Sequence, residues 1–279
     1  LGQFCFLLSL NNRFEITTFA TIKIVSKNMQ GIFRPIGVLW KVLFLLHFTL
    51  TLILLYPLFY VCLTRKDWYP MAFKLKRFWA HILVFPVGIF YTVDYKFKPK
   101  PSKTYVYCAN HTSYIDIILS YCILEHYFVF MGKQELKKVP LFNIFFKDMN
   151  ILVNRKSVSA SYQAFQSAAQ ELKKGHSVIL FPEGTISRKA PILKDFKSGA
   201  FRLAIDEQVE IVPITFENNW KFLQDRAFLQ GNMRPGLAKI VVHEPISTKG
   251  LTDKDVEILK LKVKQIIEEP LKKYKEFNL

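Results

Sequence analysis

From Ile36 to Leu63 the chain is apolar at almost every position, interrupted by Lys41, His47, Thr49, Thr51 and Pro57. Such a run restricts folding sharply, because about 20 apolar residues in a helix cover the roughly 30 Å of a bilayer's hydrocarbon. The alternative is a very hydrophobic core helix. After the polar turn Thr64-Arg65-Lys66-Asp67, the stretch from Trp68 to Val93 mixes Lys74, Lys76, Arg77 and His81 with Trp68, Tyr69, Phe73, Trp79 and Phe85. Its uninterrupted apolar part, Ile82 to Val93, contains Pro86 and is short for a span. The stretch therefore reads as an interfacial helix with basic and aromatic side chains at headgroup level. The expectation is a two-helix membrane anchor over residues 29–95, with 1–28 an upstream or disordered segment before a start at Met29. Cations flank the apolar run at both ends, Arg34 and Lys41 before and Arg65 and Lys66 after, so a spanning and a one-leaflet anchor both stay open.

Charge narrows the partner. A formal net charge of +17 calls for a polyanion, either nucleic acid or an anionic membrane surface. With 51% apolar residues and 26 Phe, and without a helix-turn-helix, zinc-finger or RNA-binding motif, the membrane is favoured and nucleic acid is not. Cys5, Cys62, Cys108 and Cys122 stand singly, with no paired spacing and no His at ligand intervals. They read as reduced thiols, with neither a disulfide framework nor a metal site, and no cofactor is expected.

Beyond the Lys/Pro run Lys96–Lys103 the pattern becomes regular, and an α/β domain over 96–279 is expected. Strands are predicted over Thr104–Ala109, Tyr127–Met131, Asn150–Val153, Ser177–Phe181, Val209–Phe216 and Ala238–Val242. Helices are predicted over Tyr114–Leu124, Ser157–Lys174, Gly199–Glu207 and Thr252–Glu269, the last opened by a Thr252/Asp255 capping box. Strand, helix, strand at this spacing is a βαβ unit, which implies a mostly parallel central sheet flanked by helices, with its site at the strands' carboxyl ends.

Two polar segments fall at such ends. In Asn110-His111-Thr112-Ser113-Tyr114-Ile115-Asp116, residues five apart on a helix would diverge by about 140°. His111 must then precede the helix, so that Asp116 in the first turn reaches back to it. The pair suits removal of a proton from an alcohol, the imidazole acting as base and the carboxylate fixing its tautomer. Helix capping by Ser113 and Asp116 explains the same spacing, and the two roles are compatible. A nucleophilic Cys108 fits poorly, since alternate strand residues face away. In Phe181-Pro182-Glu183-Gly184-Thr185 a strand enters a rigid turn where Gly184 admits a close ligand. Arg188, Lys189, Lys194 and Lys197 follow, and Lys197-Ser198-Gly199 opens a helix whose first N–H groups attract anions. Arg155, after its own strand, offers a bidentate contact. Each cation alone reads as a solvated charge; together, in an apolar chain, they point to a phosphate on a lipid.

These residues carry a resemblance. Asn110-His111 with Asp116 matches the NHxxxxD motif, and Phe181–Thr185 the FPEGT motif, of the lysophospholipid acyltransferase family. Asn150-Ile151-Leu152-Val153-Asn154-Arg155, Phe196-Lys197-Ser198-Gly199-Ala200-Phe201 and Val212-Pro213-Ile214 extend the match in order, and the chain from about Met29 resembles the 1-acylglycerol-3-phosphate acyltransferase branch. The resemblance implies acyl transfer from acyl-CoA or acyl carrier protein to the sn-2 hydroxyl of lysophosphatidic acid, giving phosphatidic acid, at a membrane with the catalytic domain on its cytoplasmic face. It implies His111 as base, Asp116 as its partner, Glu183, Gly184, Thr185, Arg155, Arg188 and Lys197 at the acceptor, Pro213 near the acyl chain, and no metal. The family's Gly six residues before Arg155 is here Met149, and its Arg after Glu-Gly-Thr is here Ile186. The acceptor headgroup is thereby open to another lyso-lipid. A noncatalytic basic membrane protein is the reading from a different class, and it gives His111, Asp116 and Glu183 nothing to do.

Overall fold

The computed structural model describes residues 35–133, 141–146, 151–153, 158–223 and 233–275. Arg155 and Met149, like residues 1–28, lie outside them. The first helix, α1 (Pro35–Cys62), carries the apolar run. Its sequence is apolar on all sides, but the helix is not buried on all sides. Phe44, Leu52, Phe59 and Cys62 are buried on one row, whereas Leu46, Leu50, Leu54 and Leu58 are exposed on the other. The buried row meets α2 (Tyr69–Val84). Phe48 and Phe59 pack on Trp79 at 5.2 and 5.5 Å between centroids, and His47 Nε2 bonds the Ile82 carbonyl at 2.8 Å.

Pro at the start of α2 suits a first turn whose N–H groups have no partners. The helix is shorter than the sequence implied. It ends at Val84, and after a turn through Pro86 and Gly88 the chain becomes a strand, β1 (Ile89–Tyr95). The expected interfacial helix to Val93 is thus corrected: its apolar tail joins the sheet, with Ile89, Tyr91 and Val93 turned inward and Phe90, Thr92 and Asp94 outward. Lys76, read as a headgroup-level cation, is instead buried, its ammonium 5.0 Å from the Phe145 ring centre and 5.8 Å from that of Tyr121.

The remaining elements follow the predicted order: β2 (Val106–Ala109), α3 (Ile115–Ile123), β3 (Phe128–Lys133), β4 (Ile151–Val153), α4 (Val158–Lys173), β5 (Ser177–Leu180), α5 (Gly199–Asp206), β6 (Ile211–Phe216), β7 (Gly236–Val242) and α6 (Val256–Glu268). Seven strands form one sheet in the order β1-β7-β6-β2-β5-β3-β4. All neighbours are parallel except β6 and β7. Alternation along β2 shows how the layers are made. Tyr105, Tyr107 and Ala109 face a core shared with α2 and α3, while Val106 and Cys108 face one shared with α4, α5 and α6. The fold is α/β with a mixed sheet between helical layers. The Thr252/Asp255 capping box is present ahead of α6.

Candidate active site

Three neighbouring strands deliver the site from their carboxyl ends: β2 leads into His111, β5 into Glu183 and β6 into Asn219. His111 precedes α3, as its spacing requires. Its Nδ1 lies 3.0 Å from Asp116 Oδ2, and that same oxygen accepts the backbone N–H groups of Thr112 at 2.7 Å and Ser113 at 2.9 Å. The Ser113 bond is half of the expected capping box. The other half is altered, because Ser113 Oγ accepts from the Ile115 N–H at 3.1 Å and donates to the Leu223 carbonyl at 2.7 Å. Capping and dyad therefore coexist in one carboxylate.

Asp116 is fully buried, so its charge needs several donors. Its second oxygen, Oδ1, accepts from Asn219 Nδ2 at 2.7 Å. Asn219, also fully buried, is the residue the sequence reading missed; it lies 103 positions from Asp116 and no local pattern marks it. A carboxylate only accepts, so His111 Nδ1 carries the proton and Nε2 keeps a lone pair. No described residue bonds Nε2. The ring is held flat by Phe181, with centroids 4.0 Å apart and planes at 16°.

Glu183 occupies an unexpected place. It is buried, and instead of facing outward it accepts the His111 N–H at Oε1 (2.8 Å) and the Lys194 N–H at Oε2 (2.9 Å). The carboxylate thus ties the His111 loop to the loop after β5. Burial raises its pKa to about 7, against the lowering effect of the two N–H groups. A further clasp joins the loops where Ser187 N–H donates to the His111 carbonyl at 2.8 Å. Asn110 binds the loop to β6, donating to the Phe216 carbonyl at 3.0 Å and accepting its N–H at 2.8 Å.

Gly184 has φ +77°, and a Cβ there would meet the Lys197 side chain at 3.0 Å, so this cation lies directly over the turn. Lys194 Nζ donates to Thr185 Oγ1 at 2.6 Å. Thr185, Arg188, Lys194 and Lys197 are exposed, and two ammonium groups accordingly stand at the turn that carries Ile186. Cys108 is fully buried on the opposite sheet face, and burial pushes its thiol far up; it is inert as a nucleophile. Pro213 sits within β6, paired with Cys108 of β2.

Comparison with known proteins agrees with this arrangement. The acyltransferase family profile matches residues 92–217. The chain is 33% identical over 149 residues to a 1-acyl-sn-glycerol-3-phosphate acyltransferase of Chlamydomonas reinhardtii, covering 53% of this chain and 44% of the relative. It is 32% identical over 163 residues to the alpha form of that enzyme in Mus musculus, covering 57% and 55%. The chain spans about half the length of these curated relatives. In fold it is similar to the crystal structure of the 1-acyl-sn-glycerophosphate acyltransferase PlsC from Thermotoga maritima, with a TM-score of 0.71 and 22% identity over 87% of this chain and 98% of the other. With both motifs in place around a buried dyad, residues 92–217 form an acyltransferase domain, and the chain is similar to the 1-acyl-sn-glycerol-3-phosphate acyltransferases.

Proposed function

We propose that the protein transfers a fatty acyl group from an acyl thioester, acyl-CoA or acyl carrier protein, to the sn-2 hydroxyl of 1-acylglycerol-3-phosphate. The observation that carries this reading is the Nε2 of His111, which no described residue bonds, opposite an Nδ1 committed to Asp116. Nε2 takes the hydroxyl proton as the oxygen attacks the thioester carbonyl carbon. The carbon–sulfur bond then breaks, and the imidazolium returns its proton to the departing thiolate. Asp116 stabilises the cation in between. No acyl-enzyme and no metal takes part. Lys194 and Lys197 beside Thr185 and Gly184 are suited to the acceptor's phosphate, with Arg155 and Arg188 as further contacts.

The anchor belongs to the same reading. Along α1 the buried row reaches from Lys41 to Cys62, so one side of the helix is clamped to the protein over about 32 Å. Its exposed leucines and the outer side of α2 then embed together in the near leaflet, on the cytoplasmic side. Lysophosphatidic acid would enter from that leaflet.

Detergent-solubilised protein given an acyl thioester and lysophosphatidic acid is expected to release free thiol and phosphatidic acid in equal amounts. His111→Ala should lose about 10² to 10⁴ in kcat; retention of activity would overturn the mechanism. Ile186, at the position where the resembled family carries Arg, favours a second acceptor, another lyso-lipid, and competition between acceptors measured by product mass spectrometry separates the two.

A further inference from the structure

The strands β1 and β7 run on past the point where the rest of the sheet stops. The last pair between β6 and β7 is Phe216 with Ile240, whereas β7 begins at Gly236 and stays paired with β1 from Ile89 onward. Because β7 is antiparallel to β6, this surplus projects from the carboxyl edge, the edge that holds His111, Glu183 and Asn219. The Glu217 N–H still donates to the Lys239 carbonyl at 2.9 Å, and the three residues beyond it, at strand rise, make a two-stranded ribbon that overhangs by about 10 Å.

On its outer face the ribbon is apolar where solvent would demand polarity. Phe90 and Leu237 are register partners, 54% and 45% exposed. This face is opposite the one on which α2 packs, but the two meet around the tip, where the Phe85 ring at the end of α2 lies 6.0 Å from that of Phe90. Phe85 is 41% exposed and ends a row with Met71 and Phe78, each seven residues apart and each exposed, on the outer side of α2. The apolar surface of the anchor therefore continues onto the sheet.

Cations border this step. Lys239 shares the outer face of β7 with Leu237, and Lys221, its ammonium 5.0 Å from the Trp220 ring centre and 4.8 Å from that of Tyr274, has its charge disfavoured first by burial and then by the nearby Arg234 and Lys239. None of the three has a carboxylate partner among the described residues. Exposed aromatic and aliphatic groups beside cations without a carboxylate partner fit an anionic bilayer, where the first enter the acyl region and the second meet phosphates.

We propose that the β1–β7 overhang is a membrane-contacting step, with Phe85, Phe90 and Leu237 inserting and Lys221, Arg234 and Lys239 engaging anionic lipid headgroups. It rests on the membrane reading above and adds a contact at the mouth of the site that is separate from α1. Its position has a functional meaning, since Asn218 holds the ribbon through Leu237 O and Lys239 N, each at 2.9 Å, and the next residue, Asn219, holds Asp116.

The test uses the full chain with Cys5 replaced and the buried Cys62, Cys108 and Cys122 retained, carrying one environment-sensitive fluorophore at Leu54→Cys, Phe90→Cys, Leu237→Cys or Lys249→Cys. Lys249 is exposed, next to Thr248, whose hydroxyl bonds Val209 at the amino edge. With phosphatidylcholine–phosphatidylglycerol vesicles containing nitroxide lipid, labels at 54, 90 and 237 are expected to be quenched and that at 249 not. Reversing the cations together (Lys221→Glu, Arg234→Glu, Lys239→Glu) should cut quenching at 90 by about half or more while leaving 54 unchanged. Quenching at 54 but at neither 90 nor 237 would overturn the step alone. Quenching at none of the positions would overturn the membrane reading with it. A higher KM for acyl-CoA in detergent micelles, with quenching at 90 unaltered, would assign the cations to the acyl donor and overturn their lipid role.

Discussion

A buried carboxylate that accepts from four donors is a strong organiser of its surroundings. Asp116 takes His111 Nδ1, two backbone N–H groups and Asn219 Nδ2, so its position is set before any substrate arrives. Asn219→Leu removes one donor and leaves Oδ1 of Asp116 unmatched, at roughly 1–3 kcal/mol. Since that error falls on the base and not on the acceptor's phosphate, kcat should drop about tenfold with KM nearly unchanged in a steady-state assay. Glu183 makes a prediction of a different kind. Its carboxyl rises from the ordinary 4.5 to about 7 on folding. Between those values the folded chain holds a proton that the unfolded chain has released, so stability falls as pH rises through the window, by about 3 kcal/mol in all. Thermal unfolding of the detergent-solubilised protein across that range should show this slope, and Glu183→Gln should flatten it. His111 and Asp116 were legible because their roles need only a local spacing. Asn219 was not, because it reaches Asp116 through the closure of β6 onto β2, and the two partners of the Glu183 carboxylate were not, because they are backbone groups without a sequence signature.

Among the elements, α1 separates the work of its two sides. Phe59 is fully buried against Trp79 and Phe145, so Phe59→Ala is expected to destabilise by about 3–5 kcal/mol. Leu54, outward on the same helix, should change stability by less than about 0.5 kcal/mol when made Ala, while weakening vesicle retention. Denaturation in detergent and vesicle flotation distinguish the two. The strands after β1 were readable to within a residue or two, because continuous apolar runs bounded by turns leave little choice. β1 was hidden by its neighbour: Ile82–Val93 looked like one apolar tract, although Ile89-Phe90-Tyr91-Thr92-Val93 already showed the two-residue alternation that separates a strand from a helix end. The antiparallel β6–β7 pair could not be read at all, since strand direction is decided by connections and not by composition.

For the molecule as a whole, a net charge of +17 governs approach and apolar area governs residence. Raising salt from 0.1 to 1 M shortens the screening length from about 10 to about 3 Å. Capture of the protein by anionic vesicles should therefore slow several-fold in stopped-flow energy transfer, while protein already bound stays bound, because the exposed leucines of α1 are insensitive to ionic strength. The α/β class was legible from the spacing of strands and helices; how the first helix is seated against the domain was not, for it depends on which row of an evenly apolar helix meets Trp79.

The bond between Asn219 and Asp116 also bears on what counts as a module in this protein. The family match closes at residue 217, two positions short of Asn219 and well before β7. A segment cut at those limits would carry every recognisable motif and still lack a donor to Asp116. Transplanting this domain by motif boundaries would move His111 and Asp116 without Asn219, so the site travels whole only with the unremarkable stretch beyond β6.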